Sequence, residues 1–335
     1  MTSVTLALPS ARTEWKLSSG IGPFPHGETV VGILLVEDSR IDRHQIGRYL
    51  RQWNFDFVAV ANGNEAWELL QKPSAPAMIL LDWMLPGVDG IELCHRIRTL
   101  GADGTYFYVV MLTAKQRKHD LLSAMAAGAD DYLAKPVDPS ELKARVLVGK
   151  RILELQQSLR FSATHDFLTR LLNRGEMLAG LERELARSQR TGQPVAILLA
   201  DVDHFKQIND SMGHAAGDEV LKQLAHRLKS GLRPYDLAGR YGGEEFLFIL
   251  PTCDLKPATQ RAEQLRLSVA RDPVLTAFGG IPVTLSVGLT VYQPGASIES
   301  ERLLQEADRA LYVAKQKGRN CVQVFFSTSQ ASAGY

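Results

Sequence analysis

"LAGRYGGEEFLFILP", residues 237–251, decides how the second half of this chain folds. Two strand-like runs, "LAGRY" and "FLFILP", flank Gly242, Gly243, Glu244 and Glu245. The pattern predicts a β-hairpin whose tip carries two glycines and two carboxylates. The glycines permit a tight turn and let backbone approach something bulky, because no Cβ intervenes. Adjacent acids at such a tip are either solvated turn residues or ligands for a cation. What the rest of the chain brings to the hairpin decides between them.

Working outward, "PVAILLADVD" (194–203) is an apolar strand ending in acids. Alternation places Asp201 and Asp203 on one face, with Val202 on the other. If the Glu244–Glu245 tip neighbours Asp201, the site is a cage of carboxylates suited to Mg²⁺ or Mn²⁺. Such a cation beside glycine-rich backbone suits phosphoryl or nucleotidyl transfer. "FKQINDSMGHAAGDEVL" then places Asn209 and Asp218 on either side of a glycine-containing loop. A carboxylate can accept two parallel hydrogen bonds from the guanine edge, a pair that adenine cannot donate. Asn209 adds a third contact. Amides around Phe205 and Lys206 can point at phosphate. "AKQKGRN" ends the last helix with Lys315 and Arg319, cations suited to a terminal phosphate, although basic residues also favour any helix C-terminus.

The first half has its own rhythm. "VVGILLVED", "FDFVAVAN", "MILLDWMLPG", "YFYVVMLTA" and "DDYLAKP" are short strands with helical segments between them. This alternation implies parallel βαβ units, whose sites lie at the carboxyl ends of the strands. The acids fall there: Glu37 and Asp38 end the first strand and Asp82 ends the third. Three gathered carboxylates repel unless a divalent cation sits among them, and an Asp in such a site can accept a phosphoryl group. Thr113 supplies a hydroxyl at another strand end. Lys135 supplies a cation for phosphate oxygens, with Pro136 shaping its turn through a cis bond. Between the halves, Leu142, Val146, Gly149, Ile152, Gln156 and Leu159 recur at steps of three and four. They predict one long helix from Ser140 to about His165, acting as a pairing stalk.

Composition fits this picture. The chain has 335 residues, enough for about two domains, and 38 basic residues against 37 acidic ones. Nothing invites nucleic acid. Three dispersed cysteines form no disulfide framework. No apolar run approaches the roughly 18 residues of a membrane helix. We expect a cytoplasmic protein with no membrane contact, a flexible arm over residues 1–29 and a flexible tail over 327–335.

"LLVEDS", "LLDWMLPGVDG", "VVMLTA" and "DDYLAKP" resemble the receiver domain of two-component response regulators over residues 30–150. The resemblance implies a doubly wound, flavodoxin-like α/β fold. Asp82 is then the phosphorylated residue, Glu37 and Asp38 bind Mg²⁺ with it, and Thr113 and Lys135 sense the phosphoryl group. Tyr132 is the aromatic that follows it, and a sensor histidine kinase is the partner.

After a linker at 151–165, residues 166–326 resemble the GGDEF family of diguanylate cyclases in its "GGEEF" form. "DFLTRLLNR", "DVDHFKQIND", "GHAAGDE", "RYGGEEF", "LSVGLT" and "ADRALYVAKQKGRN" carry that resemblance. It implies an α+β, nucleotidyl-cyclase-like domain that joins two GTP into cyclic di-GMP. Asp201, the Val202 carbonyl and Glu244 bind metal with help from Glu245, and Glu244 lies where a base would serve. Asn209 and Asp218 read guanine, Phe205, Lys206 and His214 join the substrate site, and Lys315 and Arg319 hold the triphosphate. Each domain binds one GTP, so a homodimer is required. "RPYD" matches the family's product-inhibition motif through Arg233 and Asp236. Where some members add an arginine, this chain has Gln264, with Arg261 and Arg266 nearby. Arg170 stands where the opening motif usually has glycine. The alternative, a silent cyclic di-GMP-binding regulator, predicts loss of the metal acids or glycines, and all are retained. A DNA-binding regulator finds no basic recognition helix.

Overall fold

The computed structural model describes residues 32–325, apart from 73, 102–104, 115–121, 123, 278 and 296–298. The predicted arm, 1–29, and tail, 327–335, lie outside the described residues. The chain divides into two compact units between Ser158 and Leu159.

In the first unit the strands are β1 (Ile33–Val36), β2 (Phe57–Val60), β3 (Met78–Asp82), β4 (Tyr108–Thr113) and β5 (Asp131–Ala134). They form one parallel sheet in the order β2-β1-β3-β4-β5. The order reverses beside β1, which opens the crevice where such sheets hold ligands. β1, β3 and β4 are buried at every position, as expected when helices cover both faces. Helices α1 (Arg40–Gln52), α2 (Gly63–Leu70) and α3 (Gly90–Leu100) each start at a polar cap, Ser39, Asn62 or Asp89. Each cap accepts the backbone N–H of an acidic residue three positions on. That local bond satisfies an amide the helix cannot use, and the acid favours the positive helix end.

Helix α4 runs unbroken from Pro139 to Thr164. Leu142, Val146 and Gly149, expected in the pairing stripe, instead face the first sheet, where its strands offer the apolar surface to bury them. Gly149 is required there, since a Cβ would come within 2.5 Å of the Tyr108 ring. Ile152 and Leu153 also pack on this core, which extends past the predicted boundary at 150. Leu155 and Leu159 stay exposed, at 55% and 65%.

The second unit contains α5 (Arg174–Thr191), β6 (Val195–Val202), α6 (Phe205–Met212), α7 (His214–Ser230), β7 (Leu237–Gly242) and β8 (Glu245–Pro251). It continues with α8 (Leu255–Ala270), the hairpin β9 (Val274–Thr276) and β10 (Gly279–Ile281), β11 (Leu285–Tyr292), α9 (Ser300–Gln316) and β12 (Val322–Val324). The main sheet has the order β12-β11-β6-β8-β7 and is antiparallel except between β11 and β12. α7 and α8 cover one face, where Phe246, Phe248 and Val287 pack. α5 and α9 cover the other, over Ile197, Leu247 and Ile249. Each such side chain contributes about 2 kcal/mol by leaving water. The small β9–β10 hairpin and the short β12 carry too little pattern to be read from sequence.

Cys94 is fully buried and Cys253 is 4% exposed, whereas Cys321 is partly accessible. Burial pushes the Cys94 thiol up to about 11. Thiolate is the reactive form. Iodoacetamide at pH 7.5 is therefore expected to modify Cys321 first and leave Cys94 intact until denaturant is added. Peptide mass mapping reads the order, and early labelling of Cys94 would contradict this core.

Candidate functional site

Two acidic centres emerge, one in each unit. In the first, Glu37, Asp38 and Asp82 offer carboxylate oxygens that lie within 4.8 Å of one another. Glu37 is fully buried and Asp82 nearly so, whereas Asp38 is exposed. The Lys135 ammonium lies 2.7 Å from Glu37 Oε2 and 2.8 Å from Asp82 Oδ2. Burial, reinforced by the Asp82 charge, pushes Glu37 up to about 7 despite that lysine. The donor set is all oxygen and more negative than one lysine can balance, which fits a hard divalent cation.

Arg43 shapes this loop and was missed from sequence. Its Nη1 donates to the carbonyls of Glu37 at 2.6 Å and Asp38 at 2.9 Å. Its only signal was a basic residue one turn into α1. Thr113 is buried at the end of β4, beside β5 in the sheet. Tyr132, on β5, packs partly buried against the core of α2 and α3. The Lys135–Pro136 peptide is cis, as the sequence suggested.

In the second unit, strand pairing builds the centre. β6 and β8 pair so that Asp201 stands opposite Glu245. The Val202 amide donates to the Glu244 carbonyl at 3.3 Å, which places the hairpin tip beside the end of β6. Gly243 takes a φ of +46° at the turn, a conformation L-residues seldom adopt. Burial raises the proton affinity of Asp201, and Glu244 and Asp203 push it further up. Burial also raises Glu245, helped by the charge of Asp201. Lys315 Nζ lies 2.8 Å from Asp201 Oδ2 and offsets part of this repulsion. Asp201, Glu244 and Glu245 offer only oxygen donors, but among the described residues only Glu37, Asp38 and Asp82 bring carboxylate oxygens within 4.8 Å of one another.

Asp203 departs from the expected cage. It is buried, but Thr284, Ser286 and the Asn320 amide satisfy its carboxylate, so it needs no cation. Alternation alone could not reveal these partners, because they lie more than 80 residues away.

The remaining candidates flank this centre. Phe205 and Lys206 open α6, where first-turn amides have no acceptor within the helix. The side-chain oxygen of Asn209 lies 2.0 Å from where a Cβ on Gly217 would stand, so only glycine lets it rest there. That brings Asn209 to the foot of Asp218 on α7, and His214 begins the same helix. Asp218 and His214 are exposed, and Arg319 is exposed in the loop after α9.

Arg233 and Asp236 form no ion pair with each other. Asp236 Oδ2 accepts the Arg233 backbone N–H at 2.9 Å, while Arg233 Nη1 donates to Tyr235 at 3.0 Å. The exposed guanidinium is thus held on a loop that its own aspartate has shaped. Arg261 Nη1 donates to the Gly231 carbonyl just before it, and Arg266 engages Glu263 and Asn320.

A second structural link was invisible in the sequence. Arg240 Nη1 lies 3.3 Å from both oxygens of Asp166, and its Nε donates to the Gly243 carbonyl at 2.8 Å. Asp166 also accepts from the amide and hydroxyl of Thr169. The turn after α4 is thereby tied to the glutamate hairpin. Arg170 sits in that turn at a φ of +60°, a conformation that favours the glycine expected there. The conformation costs a non-glycine residue about 1–3 kcal/mol. Its guanidinium lies 5.1 Å over the Phe161 ring at the end of α4, a contact glycine could not make.

Comparisons with known proteins agree with this geometry. A family model described as diguanylate cyclase, GGDEF domain, matches residues 163–321, and one described as response regulator receiver domain matches 33–147. The chain is 42% identical over 255 residues to the response regulator PleD of Caulobacter vibrioides, covering 73% of this chain and 56% of that relative. It is 39% identical over 189 residues to the diguanylate cyclase DosC of Escherichia coli, covering 55% of this chain and 41% of the relative. The chain thus spans about half the length of these relatives. A solved structure of the coiled coil and GGDEF domain of DgcB from Caulobacter crescentus, in complex with c-di-GMP, is also similar. It is 30% identical at a TM-score of 0.50, over 55% of this chain and 97% of that one. Among the described residues, no helix is long and apolar enough to cross a membrane.

The Asp166 link yields a signed pH dependence. Burial alone would raise its carboxyl, but Thr169 and Arg240 outweigh that and hold it below the usual carboxylate range. A depressed folded value stabilises above the unfolded value and is lost as pH falls through the folded one. Asp166→Asn is expected to cost about 1–3 kcal/mol at pH 7. Urea unfolding should show that gap closing as pH falls below about 4. A gap independent of pH would refute the ionic contribution.

Proposed function

Because the chain belongs to the response regulators that join a receiver domain to a GGDEF domain, we propose that it is a diguanylate cyclase governed by phosphorylation of Asp82. The observation that carries this reading is the β6–β8 register. It sets Asp201 against Glu245, with Glu244 at the adjoining turn and Lys315 facing them.

Two GTP are joined. The 3′-hydroxyl of each attacks the α-phosphate of the other, and each attack releases pyrophosphate, giving cyclic di-GMP. Asp201, the Val202 carbonyl, Glu244 and Glu245 would hold Mg²⁺ or Mn²⁺, which would supply positive charge to the triphosphate oxygens and lower the pKa of the attacking hydroxyl. Glu244 takes the hydroxyl proton. Asp218 and Asn209 select guanine, and Arg319 and Lys315 meet the phosphates. Lys315 exchanges its contact with Asp201 for the substrate. Phe205 and Lys206 contribute first-turn amides, and His214 lines the base side.

One domain supplies half of each reaction, so two copies must face each other. Val148, Leu155 and Leu159 support pairing along α4, being 50%, 55% and 65% exposed at spacings of seven and four. In the receiver, a histidine kinase supplies the phosphoryl group to Asp82. Glu37 and Asp38 would hold Mg²⁺ beside Asp82, and Lys135 shifts its pairing to the new dianion. Thr113 and Tyr132 pass the change to the surface and so alter pairing. Arg233 and Asp236 bind product and lower activity.

Purified protein with GTP and Mg²⁺ is expected to make cyclic di-GMP, and Glu244→Gln to lower kcat at least ~100-fold with the circular dichroism unchanged. Absence of product from the unaltered chain would overturn the reading. Asp82→Asn should abolish stimulation by a small-molecule phosphodonor; equal stimulation removes the receiver from control. Arg233→Ala should relieve inhibition by added cyclic di-GMP, and inhibition unchanged in that variant excludes the site.

A further inference from the structure

Asp203 is a buried acid for which the cyclase reading provides no role. It lies just past β6, two residues beyond Asp201, and is 5% exposed. All of its bonding points away from the hairpin tip. Oδ2 accepts from the Thr284 hydroxyl at 2.6 Å and from the Asn320 backbone amide at 3.0 Å. Oδ1 accepts from the Ser286 hydroxyl at 2.7 Å. Its own amide donates to the Thr284 carbonyl at 3.0 Å.

Asn320 ends an unusual run. Gly318, Arg319 and Asn320 take φ of +101°, +66° and +45° in succession. Two L-residues in the left-handed region persist only where their surroundings fix them. The fixing bonds are three. The Arg319 amide donates to the Ala314 carbonyl at 3.1 Å, Arg266 donates to the Asn320 side chain at 2.6 Å, and the Asn320 amide donates to Asp203. Only the last reaches the strand that carries Asp201.

We infer that Asp203 is a positioning residue: it tethers the Gly318–Asn320 loop to the end of β6, and so sets Arg319 against the same centre as Asp201. Its functional consequence rests on the cyclase reading; the tether itself does not. A carboxylate suits the task because it accepts from three donors that converge from two directions. Without it the left-handed run keeps its bonds to Ala314 and Arg266 but loses its bond to the end of β6, and the Arg319 guanidinium samples positions away from the triphosphate.

Two substitutions separate tether from charge. Asp203→Ala removes all three acceptor contacts. Asp203→Asn keeps them in altered form. Its oxygen can take the place of Oδ2, and its amide can donate to the Ser286 hydroxyl, which accepts once rotated. Asp203→Ala is expected to raise the KM for GTP about tenfold with a smaller change in kcat, the signature of lost substrate binding. Asp203→Asn should recover most of that. Trypsin should cut after Lys317 and Arg319 faster in the alanine variant than in either other protein. An alanine variant with unchanged KM and unchanged cleavage overturns the inference, as does an asparagine variant as impaired as alanine.

Should Asp203→Ala fail to fold, amide exchange in the unaltered chain decides. The Asn320 amide should exchange at least ~100-fold more slowly than a solvated loop amide, and exchange at the loop rate would sink the tether. If the unaltered chain makes no cyclic dinucleotide, the cyclase reading falls, while the exchange and proteolysis results still stand for the tether.

Discussion

The pairing of β6 with β8 is the constraint on which the second unit depends. Antiparallel hydrogen bonding fixes which residues face each other, and a slip of one position would send every side chain to the opposite face. With Ile197 opposite Ile249 and Leu199 opposite Leu247, the apolar residues of both strands meet their cores, and Asp201 then has to stand opposite Glu245. The hydrophobic register thus forces two carboxylates together. No local preference would choose that arrangement, as the upward shifts of both acids record.

Each unit meets the resulting repulsion in the same way. Lys135 bridges Glu37 and Asp82 in the first, and Lys315 contacts Asp201 in the second. Neither lysine offsets the burial around it. Glu37 remains near 7, and Asp201 and Glu245 remain raised. Both centres are therefore built to gain from an added positive charge, and a lysine already in place can move to an incoming phosphate. The two folds are unrelated in topology, one parallel throughout and the other mainly antiparallel. They converge on this arrangement because neighbouring strands that end together bring their last side chains to one place.

Around the second centre, arginines set the loops. Arg240 joins Asp166 to the Gly243 carbonyl, and Arg266 holds Asn320. A planar guanidinium donates in several directions at once, so one residue can fasten two segments far apart in sequence. The first of these links runs from the turn after α4 to the hairpin tip. Movement of the helix end would therefore be felt at the glutamates through a short chain of hydrogen bonds.

Much of this was legible in the residues themselves. Short apolar strands alternating with helical segments gave the parallel sheet, and the acid ending the third of them gave its site at Asp82. Gly–Gly before Glu–Glu gave the hairpin, since few other residues permit the turn. The spacing from Leu142 to Leu159 gave the unbroken helix α4, but not that Leu142, Val146 and Gly149 would pack on the first core. What stayed hidden were interactions between segments far apart in the chain: Arg43 on the carbonyls of the acidic loop, Asp203 against Thr284 and Asn320, Arg240 on Asp166, and Ile152 and Leu153 inside the first core. Period and composition report which face a residue occupies. They do not report which atom, a hundred residues away, will meet it there. The sequence by itself therefore determined the elements, their order and the acids they end in, and only tertiary packing decided that Asp201 shares its place with Glu245 while Asp203, on the same face by alternation, became a hydrogen-bonded anchor.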